Sequence, residues 1–195
     1  MKKLTCLMMI AFAVYALQSC NSTPKDAKES ADSLNKSKDT TTNVAATGGI
    51  AVTPKDSKFA TAAAEGGIAE IELSKLAQQK TADAQIKSFA ATMVTDHSKA
   101  GDSLSVVAKK KNITLPNTMD ADHQKKFDDL NKLTGADFDK AYVKTMIDDH
   151  KGALKLMRDE AKDGDDADVK AFATKTAPIV QMHLDAINKI HDSMK

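Results

Sequence analysis

The hexapeptide Thr92-Met93-Val94-Thr95-Asp96-His97 returns 53 residues later as Thr145-Met146-Ile147-Asp148-Asp149-His150. Each copy sets a Met and a His at i and i+4, so both lie on one helix face. Phe89 and Tyr142, one turn earlier, extend that face with an aromatic ring. The face is otherwise apolar, so each imidazole points toward a core. A buried neutral imidazole can ligate a metal through one ring nitrogen. It can also be a polar peg, satisfied by hydrogen bonds, that fixes the register of the helices around it.

Two further polar residues fall on apolar stripes at a matching depth. Glu70 lies about 15 Å, His97 about 21 Å and His150 about 19 Å from the end where the first main helix turns into the second. His183, seventeen residues into the last helix, reaches mid-bundle from the far end. One carboxylate and three imidazoles, one from each helix, therefore converge. Asp96 and Asp149 flank two of the rings and are candidates to support them from behind. In helix bundles metals are held by inward residues on facing helices, and imidazole with carboxylate suits zinc, copper or iron. The expected ligand set is His97, His150, His183 and Glu70. The alternatives are a purely structural cluster, satisfied by Glu70, by the other rings or by buried water, and a pocket for a transient partner or a small ligand.

The Glu-x-x-His pairs of carboxylate-bridged di-iron bundles are absent. Val94, Ile147 and Val180 stand three residues before the three histidines. Met93, Met146, Met157 and Met182 read as core gap-fillers, with a thioether–imidazole copper site as the sharper alternative. His123 and His191 read as solvated, and Glu160 as a partner for a lysine. No nucleophile with its base and no phosphate loop is readable, so a non-catalytic binding or structural module is favoured over an enzyme.

The elements that position these residues are helical from Ser57 onward, with no strand-like alternation. The first main helix spans about 58–80 and carries Phe59, Ala69, Leu73, Leu76 and Ala77 on one face. The second opens at the cap Asp83 and runs to about Asn112. A short helix over 121–133 lies in the long connection that follows. The third main helix starts at Gly135–Asp137 and ends near Lys162. The fourth carries Val169, Phe172, Val180, His183 and Ile187, with Pro178 expected to kink it. A second repeat, Asp83-Ala84-Gln85-Ile86-Lys87-Ser88-Phe89-Ala90 against Asp166-Ala167-Asp168-Val169-Lys170-Ala171-Phe172-Ala173, suggests two helical hairpins of related design. A connection long enough to return along the whole bundle favours one long crossover over up-and-down threading. The expected fold is all-α: a ferritin-like four-helix bundle with one long crossover carrying a short extra helix.

The start of the chain reads as an export signal. Lys2 and Lys3 precede an apolar run, Leu4 to Leu17, that is too short to span a membrane. The run closes on Leu17-Gln18-Ser19-Cys20, which resembles a bacterial lipobox. Residues 1–19 are then a lipoprotein signal peptide and Cys20 the lipidated first residue of the mature chain. Residues 20–56, poor in large apolar side chains, read as a flexible tether, with Gly48-Gly49-Ile50-Ala51-Val52 as a small apolar patch. Residues 57–195 form the bundle domain. The expected location is the cell envelope, as an outer membrane lipoprotein facing the periplasm, with the membrane met through the lipid on Cys20. Apart from Cys6 in the signal, Cys20 is the only cysteine, which excludes a disulfide framework or a thiolate metal site.

The chain has 28 Lys and Arg against 27 Asp and Glu; without Lys2 and Lys3 the balance is 26 against 27, a net charge of −1. No bulk field attracts nucleic acid, and with no Trp and few aromatics there is no platform for stacking bases.

Residues 57–190 resemble the bacterial domain of unknown function 4142. The resemblance rests on Glu65-Gly66-Gly67, Glu70 and Leu73; on Lys87-Ser88-Phe89-Ala90 and Met93 to His97; and on Leu115-Pro116. It continues through Leu133 to Asp139, Tyr142, Met146, Asp149-His150 and His183. It implies an exported, ferritin-like protein, sometimes labelled an outer membrane protein. It implies no activity, since a shared fold does not carry one.

Overall fold

The structure, a computed structural model, describes residues 26–38 and 53–194. The signal peptide, Cys20 and the patch at 48–52 lie outside the described residues. The described chain is helical: α1 (Ala27–Lys38), α2 (Pro54–Lys80), α3 (Ala84–Lys110), α4 (Ala121–Asn131), α5 (Gly135–Asp163) and α6 (Ala167–Ser193). No helix among them is long and apolar enough to cross a membrane.

Helix starts follow local chemistry. Asp83 accepts the N–H groups of Gln85 and Ile86 at 2.8 and 3.0 Å. Asp166 does the same for Asp168 and Val169 at 2.9 and 3.2 Å. The two repeated octapeptides thus begin α3 and α6 with one and the same cap. Helix α2 starts at Pro54, earlier than the apolar stripe indicates, because Thr53 caps it by accepting Asp56 N–H at 3.3 Å and proline suits the first helical position.

Four long helices form a square in which α2 packs on α3 and α5, and α6 packs on α3 and α5. Contacts at the ends fix the threading. At one end Asp56, at the start of α2, accepts the backbone N–H groups of Asp165 and Asp166 in the α5–α6 turn at 3.0 and 2.8 Å. Lys111, just past α3, meets Asp166 and Asp168 at 2.5 and 2.8 Å. At the other end Lys80 lies 5.8 Å from the Phe138 ring centroid, and Ser193 meets Gln85 at 3.3 Å. All neighbours in the square are therefore antiparallel, and residues 111–134 run the length of the bundle with α4 packed on α2 and α5. This is the ferritin-like layout with one long crossover. Helix α6 runs unbroken through Pro178.

Two features depart from the sequence reading. Part of the segment read as a tether is helix α1, which packs on α2. Ala31 is buried there, and Asn35 exchanges two hydrogen bonds with the Thr114 backbone, at 2.9 and 2.7 Å. The polar composition hid this, because α1 docks through hydrogen bonds rather than an apolar stripe. On α6, Ile179 and Met182 are exposed; they belong to the outer edge of the stripe, so Met182 fills no core gap.

The core is continuous from Phe59 to Ile187. Full burial of each large aliphatic or aromatic side chain stabilises the fold by about 1.5–3 kcal/mol. Four glycines inside long helices, Gly66, Gly67, Gly101 and Gly152, work against this, each by about 1 kcal/mol relative to alanine.

Candidate metal centre

His97 on α3, His150 on α5 and His183 on α6 meet at mid-bundle. Their ring centroids form a nearly equilateral triangle, 5.8, 5.3 and 5.7 Å on a side. The three residues are 9, 0 and 2 % exposed. One potential ligand atom from each lies within 4.8 Å of the others. Phe89 covers one side of the layer, with its centroid 6.2 Å from His150 and 6.5 Å from His183. Met93 and Met146, fully buried, pack on that same side, one turn before His97 and His150.

The hydrogen bonds set the tautomers. His150 Nδ1 is 2.8 Å from the Met146 carbonyl oxygen. A carbonyl only accepts, so Nδ1 carries the proton and Nε2 presents its lone pair. His97 Nδ1 is 3.0 Å from Glu70 Oε2, and the other carboxyl oxygen lies 3.3 Å from His150 Nδ1. His183 Nε2 is 3.2 Å from Asp96 Oδ2. Each ring thus has one nitrogen held by an oxygen. The other nitrogen in each case, His97 Nε2, His150 Nε2 and His183 Nδ1, is buried with no hydrogen-bond partner. Acceptors behind a ring and a free lone pair in front is the arrangement of metal-ligating histidines.

The electrostatics agree. Burial holds the His97 imidazole down to about 4, only partly opposed by Asp96. Burial also lowers His150 against the pull of Glu70, and His183 against that of Asp96. The rings are neutral at pH 7, the form that binds a metal. Burial pushes the Glu70 carboxyl up to about 7, opposed mainly by His150.

The geometry redistributes the residues expected from sequence. The three histidines come together. Glu70, expected as a ligand, occupies the rear nitrogens of two rings and so stands behind them. Asp96 supports the ring of another helix, His183, rather than its sequence neighbour His97. Asp149, expected behind His150, turns to Lys126 of α4 at 2.5 Å. Glu160 meets no lysine in the way expected. It is buried against Asp56 and Gly164, and burial followed by the Asp56 contact pushes it up to about 7.

His123 is not solvated. It is clamped between Glu65 of α2 and Asp120, the α4 cap, with Asp120 Oδ1 at 2.9 Å from Nδ1. The hydrogen bond to Glu65 lifts it to about 9 against the cost of burial, so it is an imidazolium at neutral pH. Glu65, Asp120 and His123 form a second group with ligand-like spacing. Glu65 faces away from the bundle axis, and α4 buries it by lying across α2. A helical-wheel reading of α2 alone cannot see that. The signal was His123 following a capping Asp120 by three residues.

Comparison with known proteins extends the fold rather than the chemistry. No curated protein matches the chain. A crystal structure of a DUF305 fragment from Deinococcus radiodurans superposes with a TM-score of 0.64 at 12% identity, over 71% of this chain and 96% of that one. At that identity the likeness concerns the helical architecture. The family model described as "Domain of unknown function (DUF4142)" matches residues 24–190, a span that takes in α1, the crossover and all three inward histidines, and the chain therefore belongs to the DUF4142 family.

Proposed function

We propose that the bundle is a non-catalytic metal-binding module of the cell envelope, holding one divalent transition ion on His97, His150 and His183. One observation carries this reading: each of three converging imidazoles has its rear nitrogen held by an oxygen and its other nitrogen buried and unpaired. A purely structural cluster would be expected to satisfy both nitrogens. Three neutral nitrogen donors suit zinc, copper or iron, and Glu70, the Met146 carbonyl and Asp96 would orient the rings. Three protein ligands leave a further coordination position free. The lipobox at Leu17 to Cys20 supports a lipid anchor, which would place the module on an outer membrane surface facing the periplasm, for metal handling or envelope stress.

The test is calorimetry with elemental analysis on residues 21–195, wild type against His97→Ala. Micromolar or tighter binding of one zinc or copper ion per chain, lost in the variant, is the expected result. No binding in wild type, or equal binding in both, removes the metal. For the anchor, Cys20→Ser should move the protein from the membrane fraction to the soluble one; retention in the membrane removes lipidation.

A further inference from the structure

The histidine layer is packed on one side and open on the other. Toward the α3 and α5 N-termini it meets Phe89, Met93 and Met146. Toward the opposite end lies a cavity of about 650 Å³, which reaches from the surface below Leu115 and Pro116 of the crossover to His97 and Glu70. That volume is in the range of small-molecule sites.

All four mid-helix glycines line this cavity. None is there because a neighbour presses on it. A Cβ added to Gly66, Gly101 or Gly152 would meet nothing within 4 Å, and one on Gly67 would only touch His97 Nδ1 at 4.0 Å. Three helices give up helix propensity around one cavity with no packing reason. Gly101 and Gly152 are exposed and Gly66 and Gly67 half-buried, so what their missing side chains leave open is the outer part of that cavity.

The walls are apolar, from Leu104, Leu156, Phe172 and Val180. Besides Glu65 Oε1, which the His123 ion pair takes up, two buried atoms with no hydrogen-bond partner belong to lining residues: His97 Nε2, on a side chain nine-tenths buried, and Asp149 Oδ2. Both accept hydrogen bonds; neither ring nor carboxylate has a donor to offer there. The charges at the mouth are already neutralised, His123 by Glu65 and Asp120, and Asp149 by Lys126. Asp148 is matched by Lys144, and of the described lining charges only the exposed Asp102 lacks an ion-pair partner, so an ionic ligand finds no unmatched partner among the buried groups.

We propose that this cavity is a binding site for a neutral, largely apolar small molecule that carries one hydrogen-bond donor, such as a phenol or an alcohol. The apolar body fills the glycine-kept space, and the hydroxyl donates to one of the two buried acceptors, His97 Nε2 at the closed end or Asp149 Oδ2 nearer the mouth. The site stands apart from the metal reading, because Asp149 Oδ2 and the cavity persist whether or not His97 Nε2 holds an ion.

The experiment is calorimetric titration of metal-free residues 21–195, which keep the whole described bundle, with 2-naphthol and with 2-methoxynaphthalene. The second has the same ring system and no donor. 2-Naphthol should bind one per chain, tighter than about 1 mM, and 2-methoxynaphthalene about tenfold or more weakly. The double variant Gly101→Leu/Gly152→Leu should lose 2-naphthol while its unfolding temperature rises, so the loss cannot be ascribed to misfolding. Met182→Lys, which removes the more exposed of the two exposed large apolar side chains of α6, should bind as wild type does. No 2-naphthol binding, equal binding of both compounds, binding that survives the leucines or binding lost in Met182→Lys each overturns the proposal. None of these readouts depends on whether zinc or copper binds.

Discussion

In the α3 copy of the repeated hexapeptide, Asp96 reaches across the bundle to His183. In the α5 copy, Asp149 occupies the same place and turns outward to Lys126 of α4. The two histidines diverge in a similar way. His97 has Glu70 as the partner of its rear nitrogen, whereas His150 has Glu70 and the Met146 carbonyl together. The difference comes from surroundings rather than from the repeated residues. Helix α3 lies beside α6, so its aspartate finds a ring. Helix α5 is covered by the crossover, so its aspartate finds a lysine. A repeated motif inherits a side-chain direction from the helix; its chemistry comes from the neighbour it is turned against.

Glu70 joins the two copies, and removing it should have the largest effect. In Glu70→Leu the His97 Nδ1–H loses its acceptor inside the core, at about 1–3 kcal/mol, while His150 keeps Met146. Unfolding by urea should show that loss, and metal affinity should fall by about 100-fold, since rear partners of ligating histidines matter about 10–100-fold each. The pH dependence carries a sign. Glu70 sits near 7 in the fold against 4.5 as a free group. Between those values the native state keeps a proton that the unfolded chain has lost. The contribution is therefore complete below about 4.5 and falls away as pH rises through about 7. His97 runs the other way, at about 4 in the fold against 6.5. The unfolded chain binds the extra proton there, so His97 adds stability as pH climbs from about 4 to 6.5. The wild-type minus Glu70→Leu difference should thus decline between pH 4.5 and 7. A flat difference would mean that Glu70 is ionised in the fold.

The aspartates give the sharper test of divergence. Asp96→Ala leaves His183 Nε2 without an acceptor and should weaken metal binding by about 10- to 100-fold. Asp149→Ala should leave it within about threefold, because Asp149 supports no ring. Its effect should appear instead as faster amide hydrogen exchange in α4, which loses the Lys126 tie. Equal effects of the two variants on metal binding would mean that the copies serve the same purpose.

Much of this was legible in the sequence for a physical reason. His97, His150 and His183 sit on stripes such as Ile86-Phe89-Ala90-Met93, where helical periodicity fixes direction, and each helix's rise fixes depth. Asp83 declared its helix by capping chemistry, and Asp166 declared its own by opening the repeat of the Asp83 octapeptide. What stayed hidden depends on contacts between elements distant in sequence. Glu65 lies off the Phe59 face of α2 and is buried only because α4 lies on it. Asp56, the last residue of the segment read as a tether, is buried because the α5–α6 turn folds back on it, with Gly164 so close to Glu160 that an added Cβ would lie 2.3 Å from its carboxylate. Helix α1 gave no periodic signal because Asn35 and Asp32 dock it through hydrogen bonds, the latter to Thr61 at 2.5 Å. The rear position of Glu70 was also out of reach, since depth along a helix does not reveal which ring nitrogen a carboxylate meets.

The methionines of the two copies mark where the repeat remains a repeat. Met93 and Met146 are both fully buried and both lie one turn before a histidine, on the Phe89 side of the layer. A thioether can ligate soft metals such as Cu(I), so their position alone admits a copper role. The packing argues against it: Phe89 lies on the same side of the layer, 6.2 Å from His150 and 6.5 Å from His183, and the free coordination position faces the cavity on the other side. Leucine conserves the volume, so Met93→Leu and Met146→Leu should each change stability by less than about 1.5 kcal/mol. Zinc and copper affinities should move together and by no more than about twofold, a shift of about 0.4 kcal/mol. If copper affinity alone fell in either variant, sulfur would be a ligand. If it fell in only one, the two copies would differ in their packing as well as in their aspartates.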